Sequence, residues 1–466
     1  MPPIFFMSMR LRAAALALLL IPAGAAPPPA AGAGEDVRLA EAAGWLRGYL
    51  RIDTSNPPGG EAAAAAYLAR ILHREGIPTQ TLIAADGRAS LYARLEGTAE
   101  GDGLLLLHHL DVVPPGPGWT APPFDGLIRD GELWGRGALD VKSLGVAHLA
   151  AFVELRRRGV RPARDVAYLA VADEESGGGL GTGWLWQHHP ELFAGIGAVL
   201  GEGGINLAPR GEVLWWGVET AEKRPMWLRV SALGRPGHGS GFNPESAMHR
   251  LIAGLDRVLA LPPQWRVTDA ARTFFGALAP HEGRPHGERF ANLDAWVTPE
   301  GPQGGMLPGQ ANFFLDTVQV TVIEGGRRIN VVPGEVSALL DVRLLPDTDA
   351  DAFLERVRGA LGAGLGVEVL LSAPPSPPSP TESRAFAAVA SVLGREGPVV
   401  PAFIAGFTDA RFFRERGIPA YGVSPFVLWG EVLRGIHGAD ERIPLAEFER
   451  GVGRMRRIVE AYAHGR

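Results

Sequence analysis

The chain has 466 residues, with 45 Lys and Arg against 51 Asp and Glu and a formal net charge of −6. Hydrophobic residues make up 46% and charged residues 21%, a globular balance that excludes a disordered or collagen-like chain. Mild acidity argues against nucleic acid as a partner, since phosphate contact needs clustered positive charge; the absence of cysteine excludes disulfides, thiolate nucleophiles and Cys-held metal.

In chain order, Arg10 and Arg12 precede the apolar run Ala13 to Ile21, and Ala23-Gly24-Ala25 follows. A basic stretch, a short apolar stretch and a small-residue site make the layout of an export signal. Residues 1–25 are therefore read as a signal peptide that sends the protein to the periplasm or the exterior, and 26–37 as a linker. The apolar run is too short to span a bilayer as a stable anchor, the alternative being a signal that is retained uncleaved, and no later stretch reaches the roughly 18–20 apolar residues of a spanning helix. No stable membrane span is expected after cleavage.

Leu39 to Leu50 and Glu61 to Glu75 have helical apolar spacing, separated by the turn Asn56-Pro57-Pro58-Gly59-Gly60. Leu104 to Leu107 reads as a buried strand and Leu144 to Arg157 as a helix. Val166 to Val171 is another apolar run, followed by Asp173-Glu174-Glu175, and Ala198 to Leu200 runs into Gly201-Glu202-Gly203-Gly204. This alternation predicts an α/β fold with a central mixed, mainly parallel sheet flanked by helices. After about Glu222 the character changes. Met226 to Ala232, Gln319 to Ile323 and Val336 to Arg343 read as strands, and Ser246 to Leu261 as a helix. An α+β module over 223–346 is thus expected between two parts of the α/β unit, 38–222 and 347–466. Residues 275–315 are expected to form long loops. Helical patterns return at Ser383 to Arg395 and Leu445 to Ala463.

The positions that carry chemistry are His109 with Asp111, Asp140, Glu174 with Glu175, Glu202, and His437. Each borders an apolar run or a Gly-rich turn, and ligand sites of α/β sheets lie at the carboxyl ends of strands. Singly, each has an ordinary explanation: a core His, a helix cap, a solvated acidic pair. Together, two imidazoles and three carboxylates suit two divalent ions that share one carboxylate. Zinc accepts His nitrogen and carboxylate oxygen and keeps an open position in catalytic sites. Asp111 is placed to accept the second N–H of His109. Glu174 is left free as a general base. His108 should point away from His109 by strand alternation. The chain has neither G-x-S-x-G nor H-E-x-x-H, so a nucleophile-elbow serine hydrolase and a thermolysin-like protease are excluded.

The motifs His108-His109-Leu110-Asp111, Gly135-Arg136-Gly137-Ala138-Leu139-Asp140, Asp173-Glu174-Glu175-Ser176-Gly177-Gly178 and Gly201-Glu202-Gly203-Gly204 stand in this order. Gly234-Arg235-Pro236-Gly237-His238-Gly239, Asn330-Val331-Val332-Pro333, Asp341-Val342-Arg343 and His437-Gly438-Ala439-Asp440-Glu441 follow. The series resembles the dizinc metallopeptidases and amidohydrolases that include carboxypeptidase S, aminoacylase, glutamate carboxypeptidase and succinyl-diaminopimelate desuccinylase. Its flavour is nearest carboxypeptidase S, and it covers roughly residues 38–463.

The resemblance implies a zinc-peptidase catalytic domain with an inserted ferredoxin-like lid or dimerisation domain. It implies two zinc ions, with cobalt or manganese as substitutes. His109, Asp140 and Glu202 would hold one, and Asp140, Glu175 and His437 the other. Asp111 would orient His109, Glu174 would be the base, and His238 would stabilise the oxyanion, in some relatives from a partner subunit. Asn330, Arg343 and Arg411 would hold substrate. A homodimer through the inserted domain is also implied. The implied activity is that of a carboxypeptidase on small peptides; the alternative is an N-acyl-amino-acid amidohydrolase, and a silent peptide-binding homologue ranks third. Two departures stand out: Gly201 where relatives often carry Asp, and Asp316 where they tend to carry Arg.

Overall fold

The computed structural model describes residues 33–465 except 160 and 308, with side chains from Leu39 onward. The expected signal peptide lies outside the described residues. The expected linker ends too late, because the backbone is already helical over Ala33–Leu50. Its prolines stop at Pro29, and no proline follows to hold off the helix.

The larger module is built on a nine-stranded sheet. Its strands run Gln80–Ile83, Ala89–Leu95, Val166–Val171, Gly103–His109, Ile196–Gly201, Ala420–Gly422, Trp215–Glu222 and Val399–Ile404, with Ile205–Leu207 paired outside this order. Gly103–His109 is parallel to both of its neighbours, whereas the Gln80–Ile83 and Ala89–Leu95 flank is antiparallel. The sheet is therefore mixed, with a parallel centre. Alternation along the central strand feeds two cores. Leu104 and Leu106 pack with helices Glu61–Arg74, Lys142–Arg157 and Leu445–His464; Leu105 and Leu107 face Leu185, Phe412 and Phe413. Nearly unbroken apolar strands are what a sheet covered on both faces requires.

The second module is an antiparallel four-stranded sheet ordered Thr317–Glu324, Glu335–Leu344, Arg224–Leu233, Leu365–Ser372. Helices Ala247–Leu259 and Ala350–Leu361 cover one face. Strand, helix, two strands, helix, strand in this order is the ferredoxin-like arrangement. Met226, Leu228, Val230 and Ala232 point to the helices, and the opposite register carries Trp227, Asp341 and Arg343 on the other face.

Two boundaries differ from the sequence reading. The module runs to Ser372, not 346, because Phe353, Leu354, Val357 and Leu361 belong to its core and Leu365–Ser372 completes its sheet. Nor is 275–315 a set of loops. Helices Asp269–Leu278, His286–Ala291 and Leu293–Trp296 fold there, burying Phe274, Phe275, Phe290, Trp296 and Phe314 against Val400, Ala402 and Phe403 of the large sheet. Gly and Pro sit between these short helices, while the aromatic residues supply the apolar area that holds them down.

The chain therefore passes between the modules at four places: near 223, 262–265, 316 and 373. Buried Lys223 donates from Nζ to Leu315 O at 2.8 Å and Thr317 Oγ1 at 3.1 Å. Asp316 Oδ1 accepts from Leu345 N at 2.7 Å and Thr348 Oγ1 at 2.6 Å. Asp316 is thus a junction residue. Among the described residues no helix is long and apolar enough to cross a membrane.

Candidate active site

The carboxyl ends of the central strands converge. His109 ends Gly103–His109, Glu174 and Glu175 form a turn just beyond Val166–Val171, and Glu202 follows Ile196–Gly201. Asp140 comes from the turn before helix Lys142–Arg157, and His437 from the segment after Gly430–Gly435. The Asp140–Val141 peptide is cis.

Asp140 lies at the middle. Its Oδ1 is 3.2 Å from His109 Nε2, and its Oδ2 is 2.9 Å from His437 Nε2. His109 Nε2 also lies 3.5 Å from Glu202 Oε2, and His437 Nε2 3.4 Å from Glu175 Oε2. Ligand atoms of His109, Asp140 and Glu202 lie within 4.8 Å of one another, and so do those of Asp140, Glu175 and His437. The five expected ligands are thus brought together as two triads with Asp140 in common. Glu175 Oε1 is buried with no hydrogen-bond partner. A buried carboxylate lone pair without a donor is costly unless a cation meets it. The residues present therefore fit a pair of divalent ions, and this nitrogen-and-oxygen donor set suits zinc, cobalt or manganese.

The charges in this cluster are strongly coupled. Burial alone would lower the His109 pKa, but Glu202 and Asp140 hold it well above its usual 6.5. Asp140 and Glu175 raise His437 to about 10. Burial pushes Glu174 well above the ordinary carboxylate range, and the negative charge of Glu202 adds to it. His108 points to the other face, as expected. It packs against Tyr49, Tyr168 and His148, and burial drives its pKa down, so it stays neutral.

Asp111 departs from its expected role. His109 Nδ1 lies 2.8 Å from the backbone carbonyl of Asp111, whereas the nearest oxygen of its carboxylate is 3.7 Å away. That carboxylate instead accepts the backbone N–H groups of Glu174 and Glu175, both at 3.2 Å, and Asn56 Nδ2 at 2.8 Å. It holds the turn that presents the base. Arg411 also departs. It is buried, donates to Gly177 O at 2.6 Å and stacks on Phe412, so it braces the same turn instead of facing substrate.

The second module supplies the remaining expectations. Arg343 sits over the Phe407 ring at 4.5 Å and forms a two-point pair with Asp341 at 2.8 and 2.9 Å. Asn330 is exposed, and its carbonyl accepts Gly239 N at 2.8 Å, next to His238. His238 is exposed, with Nδ1 2.8 Å from Ser240 Oγ. No contact among the described residues joins it to the carboxylate cluster.

Three supporting residues escaped sequence reading. Glu441, fully buried, accepts Gly137 N at 2.8 Å, Leu139 N at 2.6 Å and Asp140 N at 3.0 Å, and pairs with Arg136 at 2.7 Å. Arg88 bridges Glu61 and Asp173, with Nε 2.9 Å from Glu61 Oε1 and Nη1 3.0 Å from Asp173 Oδ1. Asp409, which burial raises to about 7, accepts Thr182 Oγ1 at 2.7 Å and lies in the wall beside Glu174 and Glu202. Glu441 stands inside the terminal His437 motif, which was a signal for its role; for the others the pairing exists only in three dimensions.

Compared with known proteins, residues 105–461 match the profile of peptidase family M20/M25/M40. Aminoacylase-1 of Sus scrofa is 30% identical over 432 residues, covering 90% of this chain and 94% of that protein. A probable carboxypeptidase S-like 2 of Dictyostelium discoideum is 26% identical, over 78% of this chain and 70% of that one. In fold, the chain is similar to an M20 family metallo-carboxypeptidase of Sulfolobus solfataricus, with a TM-score of 0.70, 19% identity, and 91% and 99% coverage.

Proposed function

The chain belongs to peptidase family M20/M25/M40, a metal-dependent family of hydrolases, and on that premise we propose that it cleaves the amide bond of N-acyl amino acids between two zinc ions. The observation that carries this reading is Asp140, whose two oxygens each face one imidazole of a separate triad. His109, Asp140 and Glu202 would hold one ion, and Asp140, Glu175 and His437 the other. When bound, such a pair supplies Lewis acidity and a water of lowered pKa.

The rest falls to the chain's own groups. Glu174, its carboxyl raised by burial, takes a proton from the attacking water and returns it to the leaving nitrogen. Asp111 and Arg411 keep its turn in place. Arg343 suits a terminal carboxylate because its planar fork can bind one at two points, with Asn330 beside substrate polar groups. A role for His238 at the carbonyl requires closure of its module or a second copy of the chain.

The aminoacylase relative, aligned over nearly its full length, favours acyl amino acids. The carboxypeptidase S-like relative favours a second reading, a carboxypeptidase of small peptides. Assay of purified protein on both substrate types, with and without chelator, separates them. Hydrolysis of neither by protein loaded with zinc, cobalt or manganese would sink both. Export is part of the proposal and rests on residues 1–25. So is a homodimer through the second module, supported by the exposed edge strand Thr317–Glu324 with Ile323 58% exposed.

A further inference from the structure

A cavity of about 330 Å³ lies beside the paired triads. Asp140 and Glu202 are among its lining residues, so it adjoins the candidate centre. Its deep wall is apolar: Leu144, Val423 and Phe426 are all buried. Its outer edge is apolar too, with Leu433 43% and Ile436 45% exposed on the segment that leads into His437. The amide of Asn206 in the wall is already used, donating to the carbonyls of Ser424 and Phe426 at 3.1 and 3.0 Å.

Two features decide which end of a substrate fits. The lining contains no Lys, Arg or His, and two carboxylates border it. A terminal carboxylate pushed into the apolar part of the cavity, past the ions that Asp140 and Glu202 would hold, would find no basic side chain to meet it. Further, none of the lining comes from the module that carries Asn330 and Arg343. The charged end and the cavity-filling end of a substrate therefore belong on different parts of the protein. Sites with an apolar wall and polar groups gathered at one end recognise an apolar chain on a polar head, and the volume falls at the lower end of ordinary ligand pockets, roughly 300–1,000 Å³.

Building on the hydrolase reading above, we infer that this cavity receives the acyl chain, and that the preferred substrates are N-acyl amino acids with a medium-length apolar acyl group instead of acetyl. The chain passes Leu433 and Ile436 and ends against Val423 and Phe426, with its carbonyl beside Asp140 and Glu202.

The test uses N-acetyl, N-butanoyl, N-hexanoyl and N-octanoyl derivatives of one amino acid. Their kcat/KM is measured on the metal-loaded enzyme, and their binding to the Glu174→Gln protein by calorimetry. Each added methylene is expected to raise both by up to about fourfold until the cavity is full. Leu433→Asp, at a half-exposed position that tolerates the change, is expected to cut the octanoyl-to-acetyl ratio at least tenfold. A flat or falling series in the calorimetry overturns the inference. So does a dipeptide whose first residue has the same chain length and binds better than its acyl counterpart. A calorimetric gradient without turnover of any substrate would uphold the cavity assignment and overturn the hydrolase reading.

Discussion

Glu174 occupies a position where ionisation is difficult, buried next to Glu202 and Asp409. Burial and these neighbouring carboxylates raise its pKa, as suits a group that must accept a proton and give it back. Glu174→Gln is expected to keep its metal content and lose roughly 10²–10⁴-fold in kcat; metal analysis beside steady-state assays checks both halves. His437 makes a second residue-scale prediction. In metal-free protein its folded pKa of about 10 lies above the unfolded value near 6.5. Its stabilising contribution is complete below about pH 6.5 and is lost as pH rises through about 10. Chelated protein should therefore lose melting temperature across that interval, and His437→Asn should lose less. The ligand positions were readable because each stands in a short motif at the end of an apolar run. The role of Asp111 was not, since the sequence does not distinguish a backbone carbonyl from the carboxylate of the same residue as partner of His109.

Turns position the reacting groups, and each is held by a carboxylate remote in sequence. The 137–140 turn hangs on Glu441, which accepts three of its N–H groups. Glu441→Gln leaves Arg136, 1% exposed, without a counter-charge. The expected cost is about 3–5 kcal/mol of stability, with metal affinity down roughly 10–100-fold, read by urea titration and metal competition. The main strands and helices could be read from apolar periodicity. The helices after 268 could not, because Gly and Pro at their ends mask the spacing of Phe274, Phe275 and Phe290. The last strand of the small sheet, Leu365–Ser372, escaped because it is an edge with mostly exposed or half-exposed residues, so the alternation that marks a half-buried strand is weak.

At the scale of the whole molecule, the candidate centre gathers five carboxyl groups, Asp140, Glu174, Glu175, Glu202 and Asp409, against two imidazoles. Cations that bind only the folded state stabilise it by mass action, about 2.7 kcal/mol at a hundredfold excess over Kd. Removal of metal is expected to lower the melting temperature, and stepwise return of zinc to raise it with concentration; scanning calorimetry decides. An unchanged melting temperature would argue against the two-ion cluster.

The four passages between the modules have a mechanical result. A lobe tied by one strand can swivel as well as nod. Tied by four, with Lys223 and Asp316 clamping the ties, it is held against swivelling at several points along the seam. Arg343 and His238 ride on the same tethered lobe, so a displacement of one carries the other with it.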